Sequence, residues 1–211
     1  MTKHIGILGG TFDPVHLGHV SCARFVQQHC QLDEVRLMPC HLPAHRATPG
    51  ATSEQRAAMV TLAIQSYPRL SLERLELDKQ SASYTADSLA LLTHREPNSR
   101  FYFIIGMDSL CYFKQWKDWQ GILKQAHILV CQRPGYSAAE GDAPFLLQHY
   151  GINNVTSLKQ VSAGKILLLD NPLHAISASH IRQQLVSANP GTDTLDPVVL
   201  NYIATQQLYQ A

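Results

Sequence analysis

Two histidines stand three residues apart at the end of a glycine-rich bend: Gly9 to Val20 reads GGTFDPVHLGHV, with His16 and His19 as the pair. That spacing is close to one helical turn, so both rings can share a face of a helix starting near Leu17. Ahead of them the apolar run Ile5–Leu8 ends a strand, and Gly9 and Gly10 let the chain turn sharply and approach a ligand with no Cβ in the way. The amides of Gly10, Thr11 and Phe12, with the positive end of the following helix, are expected to face a phosphate. Two imidazoles beside it could donate hydrogen bonds that strengthen as charge builds in a transition state, and Gly18 between them is expected to leave open space. Zinc ligation would need a third ligand at a clear spacing, which is missing. A dinucleotide dehydrogenase would want G-x-G-x-x-G, which Gly6, Gly9 and Gly10 do not fit. A structural turn with incidental histidines remains the other reading at this point.

Further stretches carry polar groups to strand ends. NPLHAISASHIRQQL places Ser177, Ala178 and Ser179 at a helix start, with Arg182 on its first turns. Free amides, hydroxyls and a fixed positive fork make a second anion site, although ordinary capping plus a surface arginine would use the same residues. LPAHR puts His45 and Arg46 as adjacent donors on a proline-stiffened loop, for which a solvated loop is the alternative. FIIGMDSL ends a buried strand with Gly106 and then Asp108. A carboxylate there can accept both hydroxyls of a ribose, or cap the next helix. CQRPGY supplies Arg133 after a fifth strand.

These residues need a scaffold that brings strand ends to one edge. Strand-like runs fall at Lys3–Leu8, Glu34–Met38, Leu70–Leu77, Arg100–Ile105, His127–Cys131 and Lys165–Leu169. Helical patterns lie at about Leu17–Cys30, Ser53–Ser66, Thr85–Arg95, Ala138–Tyr150, Ser179–Ser187 and Pro197–Leu208. Ser53 and Thr85 are expected to cap their helices, and Asp196-Pro197 to open the last one. The alternation predicts an α/β fold: a Rossmann-like, doubly wound, mostly parallel sheet with helices on both faces. Ligands of such sheets bind beyond the carboxyl ends of the strands, where strand order reverses. One domain over residues 1–211 is expected, with a helical part from about 177 packed on it.

Composition narrows the partners. Seventeen Lys and Arg against sixteen Asp and Glu leave a net charge of +1, with no global field to hold nucleic acid. No run of 18 apolar residues marks a membrane span, and the opening MTKHIGILGG has no signal-peptide layout. Five cysteines without a C-x-x-C read as free thiols, which points to a reducing cytoplasm. Nothing marks an oligomer interface; a monomer or small homo-oligomer is expected.

The GGTFDPVHLGH stretch resembles the G-T/S-F-D-P-x-H-x-G-H signature of the nucleotidylyltransferase superfamily. Within it the whole chain resembles the bacterial nicotinate-mononucleotide adenylyltransferases. The resemblance implies adenylyl transfer from ATP to nicotinate mononucleotide, giving deamido-NAD and pyrophosphate, by direct attack without a covalent intermediate. It implies that His16, His19 and Arg182 act on the phosphates. Gly9, Gly10, Thr11, Phe12, Gly106, Asp108, Ser177 and Ser179 would hold ATP, Ser179 standing where threonine is usual. His45, Arg46, Thr85, Trp116 and Arg133 would face the mononucleotide, with Ala44 replacing the second proline of the family's P-P-H-K/R segment. An indole face stacks on a flat heterocycle, and a hydroxyl or helix-start amide receives its carboxylate, which suits Trp116 and Thr85. Mg²⁺ is implied, bound mainly through the ATP phosphates. Adenylyl transfer to another phosphate acceptor, such as nicotinamide mononucleotide or phosphopantetheine, and a non-catalytic nucleotide-binding module are the alternatives.

Overall fold

A computed structural model describes residues 2–41, 49–78, 83–174, 176–187 and 192–210. Seven strands, β1 (Lys3–Gly10), β2 (Glu34–Pro39), β3 (Leu70–Leu72), β4 (Ser99–Gly106), β5 (Ala126–Cys131), β6 (Gly151–Ile152) and β7 (Ile166–Leu169), form one sheet in the order β3-β2-β1-β4-β5-β7-β6. Every pairing is parallel, so all strand ends that follow the same chain direction meet at one edge. The order reverses between β1 and β4, where Ile7 pairs with Phe103 and Leu8 with Ile104. The connections on either side of this pair leave toward opposite faces, and a crevice opens above it.

Among the described residues, seven α-helices lie between the strands, α1 (Leu17–His29), α2 (Ser53–Ile64), α3 (Thr85–Arg95), α4 (Met107–Leu110), α5 (Trp119–Gln125), α6 (Ala143–Tyr150) and α7 (Val155–Gln160), and α8 (Ala178–Val186) and α9 (Pro197–Thr205) follow the last strand. Right-handed crossovers decide their faces. Connections moving toward the β3 edge place α1, α2 and α7 on one side, where Val20, Met59 and Leu158 pack with Leu37, Ile104 and Leu129. Connections moving the other way place α3, α5 and α6 opposite, where Leu89, Ile122 and Leu146 pack with Ile7, Phe103 and Ile128. Ile181 of α8 and Val199 and Ile203 of α9 join the first layer. Strand residues alternate between the layers because successive side chains point to opposite faces.

Several boundaries differ from expectation. β3 stops at Leu72 instead of running to Leu77. The buried Glu73 takes Arg36 and Arg95, its Oε1 accepts from Leu75 N (3.1 Å), and Leu77 N reaches back to Arg74 O (2.8 Å), so the chain curls away. Thr52, rather than Ser53, caps α2 by accepting from Gln55 N. Tyr84 precedes α3 without a side-chain cap, which makes Thr85 the first helical residue. Residues 138–142 stay outside α6, whose Pro144 sits in the first turn, where an N–H has no partner within the helix. α8 begins one residue early, at Ala178. Asp196 caps α9 as expected, accepting from Val198 N at 2.9 Å. The short elements α4, α5, α7 and β6 lack the length that makes periodicity readable.

Candidate active site

After β1 the chain does not pass directly into α1. Gly10 O accepts from Cys40 N (3.0 Å), and Phe12 takes a left-handed φ of 50° that folds its buried ring back over Gly10. A Cβ on Gly10 would lie 3.1 Å from that ring, and one on Gly9 would lie 3.2 Å from the ring of Phe103. The two glycines therefore make room for aromatic side chains of this protein, a correction to the expectation that they clear space for a ligand.

Asp13 fastens this bend. Its buried carboxylate accepts from Gly50 N (2.8 Å), Ala51 N (3.1 Å) and Tyr209 Oη (2.7 Å), and its carbonyl accepts from Arg182 Nη1 (2.6 Å). Burial, then the bond to Asp13, raises the Tyr209 hydroxyl far above its usual pKa, so it stays a donor. Arg56, almost fully buried, adds a donation to Thr11 O at 2.8 Å. Sequence reading assigned no role to Asp13, Arg56 or Tyr209. Asp13 lies inside the recognised motif, which was the available signal; its carboxylate partners lie 37 to 196 residues away along the chain, and Arg56 reaches the bend from 45 residues away.

His16 precedes α1 and His19 sits in its first turn, with the rings stacked at 3.6 Å between centroids and 22° between planes. The amide of His16 donates to His19 Nδ1 (3.2 Å), so a neutral His19 carries its proton on Nε2 and presents it as a donor. Phe12 meets the same ring edge-on at 4.9 Å. Burial first, then the positive field of Arg133 and the neighbouring His174, pushes the pKa of His16 down to about 4. His16 is thus neutral at pH 7, and its Nδ1 is buried without a hydrogen-bond partner. The space expected above Gly18 is also filled: a Cβ there would lie 3.1 Å from His16 Nδ1. Glycine at this position is what allows the two imidazoles to stack.

The pair lines a cleft of about 80 Å³ with Leu8, Ile104, Gly106 and Arg133, directly above the reversal of strand order. Gly106 ends β4, and a Cβ there would lie 2.2 Å from Asp108 Oδ1 and 2.8 Å from Arg133 Nε. Arg133 Nε and Asp108 Oδ1 form an ion pair at 3.5 Å without a hydrogen bond, which leaves that buried oxygen a vacant acceptor. Ser177 precedes α8 and Ser179 lies in its first turn, where Ser179 Oγ is 3.3 Å from Arg182 Nη2. Arg182 reaches the histidine loop through the Asp13 carbonyl, and Ile176, next to Ser177, closes one end of the cleft.

Thr85 and Trp116 lie on the other side of the sheet edge. Trp116 is half-buried, tilted against Phe113 at 5.4 Å and edge-on to Phe103 at 6.2 Å, with Phe103 standing between it and Gly9. Lys117 bonds Asp87 (2.9 Å) and lies over the ring of Tyr84 (4.5 Å), tying the start of α3, with Thr85, to the segment that carries Trp116. The histidine cleft does not extend to these two residues. Among the described residues, the histidine cleft and the Thr85–Trp116 region lie on either side of the β1 and β4 ends. His45 and Arg46 lie outside the described residues.

Comparison with known proteins shows the family and the fold. The cytidylyltransferase-like family model matches residues 7–184. A protein of Cellvibrio japonicus, named a probable nicotinate-nucleotide adenylyltransferase, is 42% identical over the whole of both chains. One of Shewanella woodyi with the same name is 37% identical over 98% of this chain and 99% of its own. Among solved structures, a Plasmodium falciparum nicotinic acid mononucleotide adenylyltransferase complexed with NaAD superposes with a TM-score of 0.74. It covers 98% of this chain and 97% of its own at 22% identity, a likeness of fold.

Proposed function

The chain belongs to the cytidylyltransferase-like family, among the nicotinate-nucleotide adenylyltransferases, and from that premise we propose that it joins the adenylyl group of ATP to nicotinate mononucleotide, releasing pyrophosphate. The observation that carries this reading is the stacked His16–His19 pair in a cleft with Arg133, above the β1/β4 crevice. An oxygen of the mononucleotide 5′-phosphate attacks the α-phosphorus of ATP, the bond to the bridging α–β oxygen breaks, and the electron pair leaves with pyrophosphate. The attacking oxygen is already anionic at neutral pH, so neither a general base nor an enzyme nucleophile is needed. Alignment and charge stabilisation remain for the protein to supply.

His19, with its proton on Nε2, donates to the phosphoryl oxygen where charge grows. His16 presents a neutral imidazole packed against it. Arg182, held by the Asp13 carbonyl, receives the leaving pyrophosphate with Ser177 and Ser179 beside it, while the backbone of Gly9–Phe12 approaches the phosphates. The vacant acceptor on Asp108 suits a ribose hydroxyl, and glycine at 106 keeps a Cβ from lying 2.2 Å from that oxygen. Thr85 and Trp116 hold the nicotinate end on the far side of the strand ends, and Arg133, beside the cleft, balances the negative charge of both substrates; His45 and Arg46 remain candidates for the mononucleotide phosphate. The carboxylate of Asp13 is already engaged by three donors, which fits Mg²⁺ held by phosphate oxygens and water. Bound there, the ion would screen the triphosphate charge.

Pyrophosphate release with ATP and Mg²⁺, measured across nicotinate mononucleotide, nicotinamide mononucleotide and phosphopantetheine, tests the proposal. Turnover highest with the nicotinate acceptor is expected. Preference for another acceptor would move the substrate assignment, and no release with any of them would reject the enzymatic reading.

A further inference from the structure

Cys22 and Cys131 come from α1 and the end of β5, yet their sulfurs lie 3.3 Å apart and both line the histidine cleft. Cys22 is half-buried and Cys131 is buried, and neither is part of the phosphate chemistry described above. We propose that these two residues form a covalent modification site, a dithiol that is oxidised by a peroxide or a small-molecule disulfide and closes to a disulfide across the cleft wall.

Position and electrostatics support the pair. Cys22 follows His19 by three residues, so it occupies the same face of α1 one turn further on, and Cys131 stands two residues before Arg133. The contact with Cys131, which either sulfur can donate, with the positive field of Arg133, draws the Cys22 thiol below its ordinary pKa against the opposing effect of burial. Cys131 is raised, first by the same bond and then by burial, and keeps its proton. This is the division of labour of an attacking and a resolving thiol. With hydrogen peroxide, the Cys22 thiolate attacks one oxygen, the O–O bond breaks, and Cys22 becomes a sulfenic acid as one water is released. Cys131 then attacks the sulfenic sulfur, its proton leaves with the hydroxyl as a second water, and the S–S bond forms. Overall two thiols and one peroxide yield one disulfide and two waters.

Closing the sulfurs from 3.3 Å to a bond of about 2.05 Å pulls α1 toward β5 beside His19 and Arg133. This consequence rests on the adenylyl-transfer reading: a misplacement near 1 Å at a reacting group costs up to about a hundredfold, so oxidised protein is expected to lose roughly tenfold or more in activity. The bond itself does not depend on that reading.

The full chain is treated with one equivalent of hydrogen peroxide, thiols are counted, and unreduced tryptic peptides are mapped by mass. The five cysteines fall in five different tryptic peptides, so the linkage is read directly. A fall from five thiols to three, a Cys22–Cys131 linked peptide two hydrogens lighter than its parts, and reversal by a dithiol reductant are expected. Cys22→Ser and Cys131→Ser should each abolish the linkage. Five remaining thiols, oxyacids alone, or linkage between other cysteines would overturn the proposal. If the linked peptide forms while reduced protein releases no pyrophosphate with any acceptor, the functional reading fails and the dithiol stands. If the linked protein keeps full turnover, the coupling to the cleft is refuted.

Discussion

Tyr209→Phe removes one hydroxyl from beneath the GTFDP bend and leaves the ring in place. The ring packs so close to Gly50 that a Cβ there would lie 3.2 Å from Tyr209 Cε1, and phenylalanine keeps that contact. The change therefore isolates one hydrogen bond, Tyr209 Oη to Asp13 Oδ1 at 2.7 Å. Asp13 is 5% exposed, so bulk solvent does not readily replace the donor that Oδ1 loses beside Ala51 N. A hydrogen bond to a charged group contributes about 1.5–3 kcal/mol. Two backbone donors, Gly50 N and Ala51 N, stay on the carboxylate, which favours the lower half of that range, about 2 kcal/mol. For a chain of this length each kcal/mol moves Tm by about 2–4 °C, so a fall of roughly 4–8 °C is expected. Thermal unfolding followed by circular dichroism measures it. Because Arg182 is anchored to the Asp13 carbonyl, kcat/KM for ATP should fall as well, with pyrophosphate release as the readout. A Tm within about 1 °C of the parent, on that same scale, together with unchanged kcat/KM would refute the view of Asp13 as a fastening point.

Three further outcomes are expected. His19→Ala should lower kcat about a hundredfold, the scale of losing one charge-stabilising donor, and near-normal turnover in a steady-state assay would reject that role. Gly18→Ala should leave Tm nearly unchanged but reduce turnover about tenfold or more, because the new Cβ meets His16 Nδ1 at 3.1 Å and separates the stack; a fully active variant would show that stacking is dispensable. Burial pushes both His16 and His127 down to about 4, and His127 already uses Nε2 toward Val161 O and Nδ1 from Lys165 N. Folded pKa values below the unfolded value mean that this stability is fully present above about pH 6.5 and is lost as pH falls toward 4. Between pH 7 and 5 the loss should approach about 2 kcal/mol per imidazole, read from urea midpoints, and an unchanged midpoint would contradict the neutral assignment.

Legibility in the sequence followed the range of the interactions. The parallel sheet was readable because each long strand carries its own apolar run, and His16 with His19 because one helical turn determines their spacing. The role of Gly18 was misread because spacing shows that a side chain is missing without showing what occupies the gap; only the fold reveals the ring of His16 there. The same holds for Gly10, covered by Phe12 through a left-handed turn that no residue type announces. Glu73 looked like part of a strand until Arg36 and Arg95, from separate elements, drew it inward. Trp116 was expected to face the mononucleotide from its motif alone, and only the fold shows that it packs edge-on to Phe103, in the layer opposite α1.

The tie between Tyr209 and Asp13 spans 196 residues of chain. A ribosome adding about 5–20 residues each second needs roughly 10–40 s to travel between them. Throughout that interval the nascent GTFDP bend already exists but lacks this brace, and so does the carbonyl that will hold Arg182. The loop that carries Asp13 consequently acquires its finished shape only after a partner 196 residues further along the chain has been made.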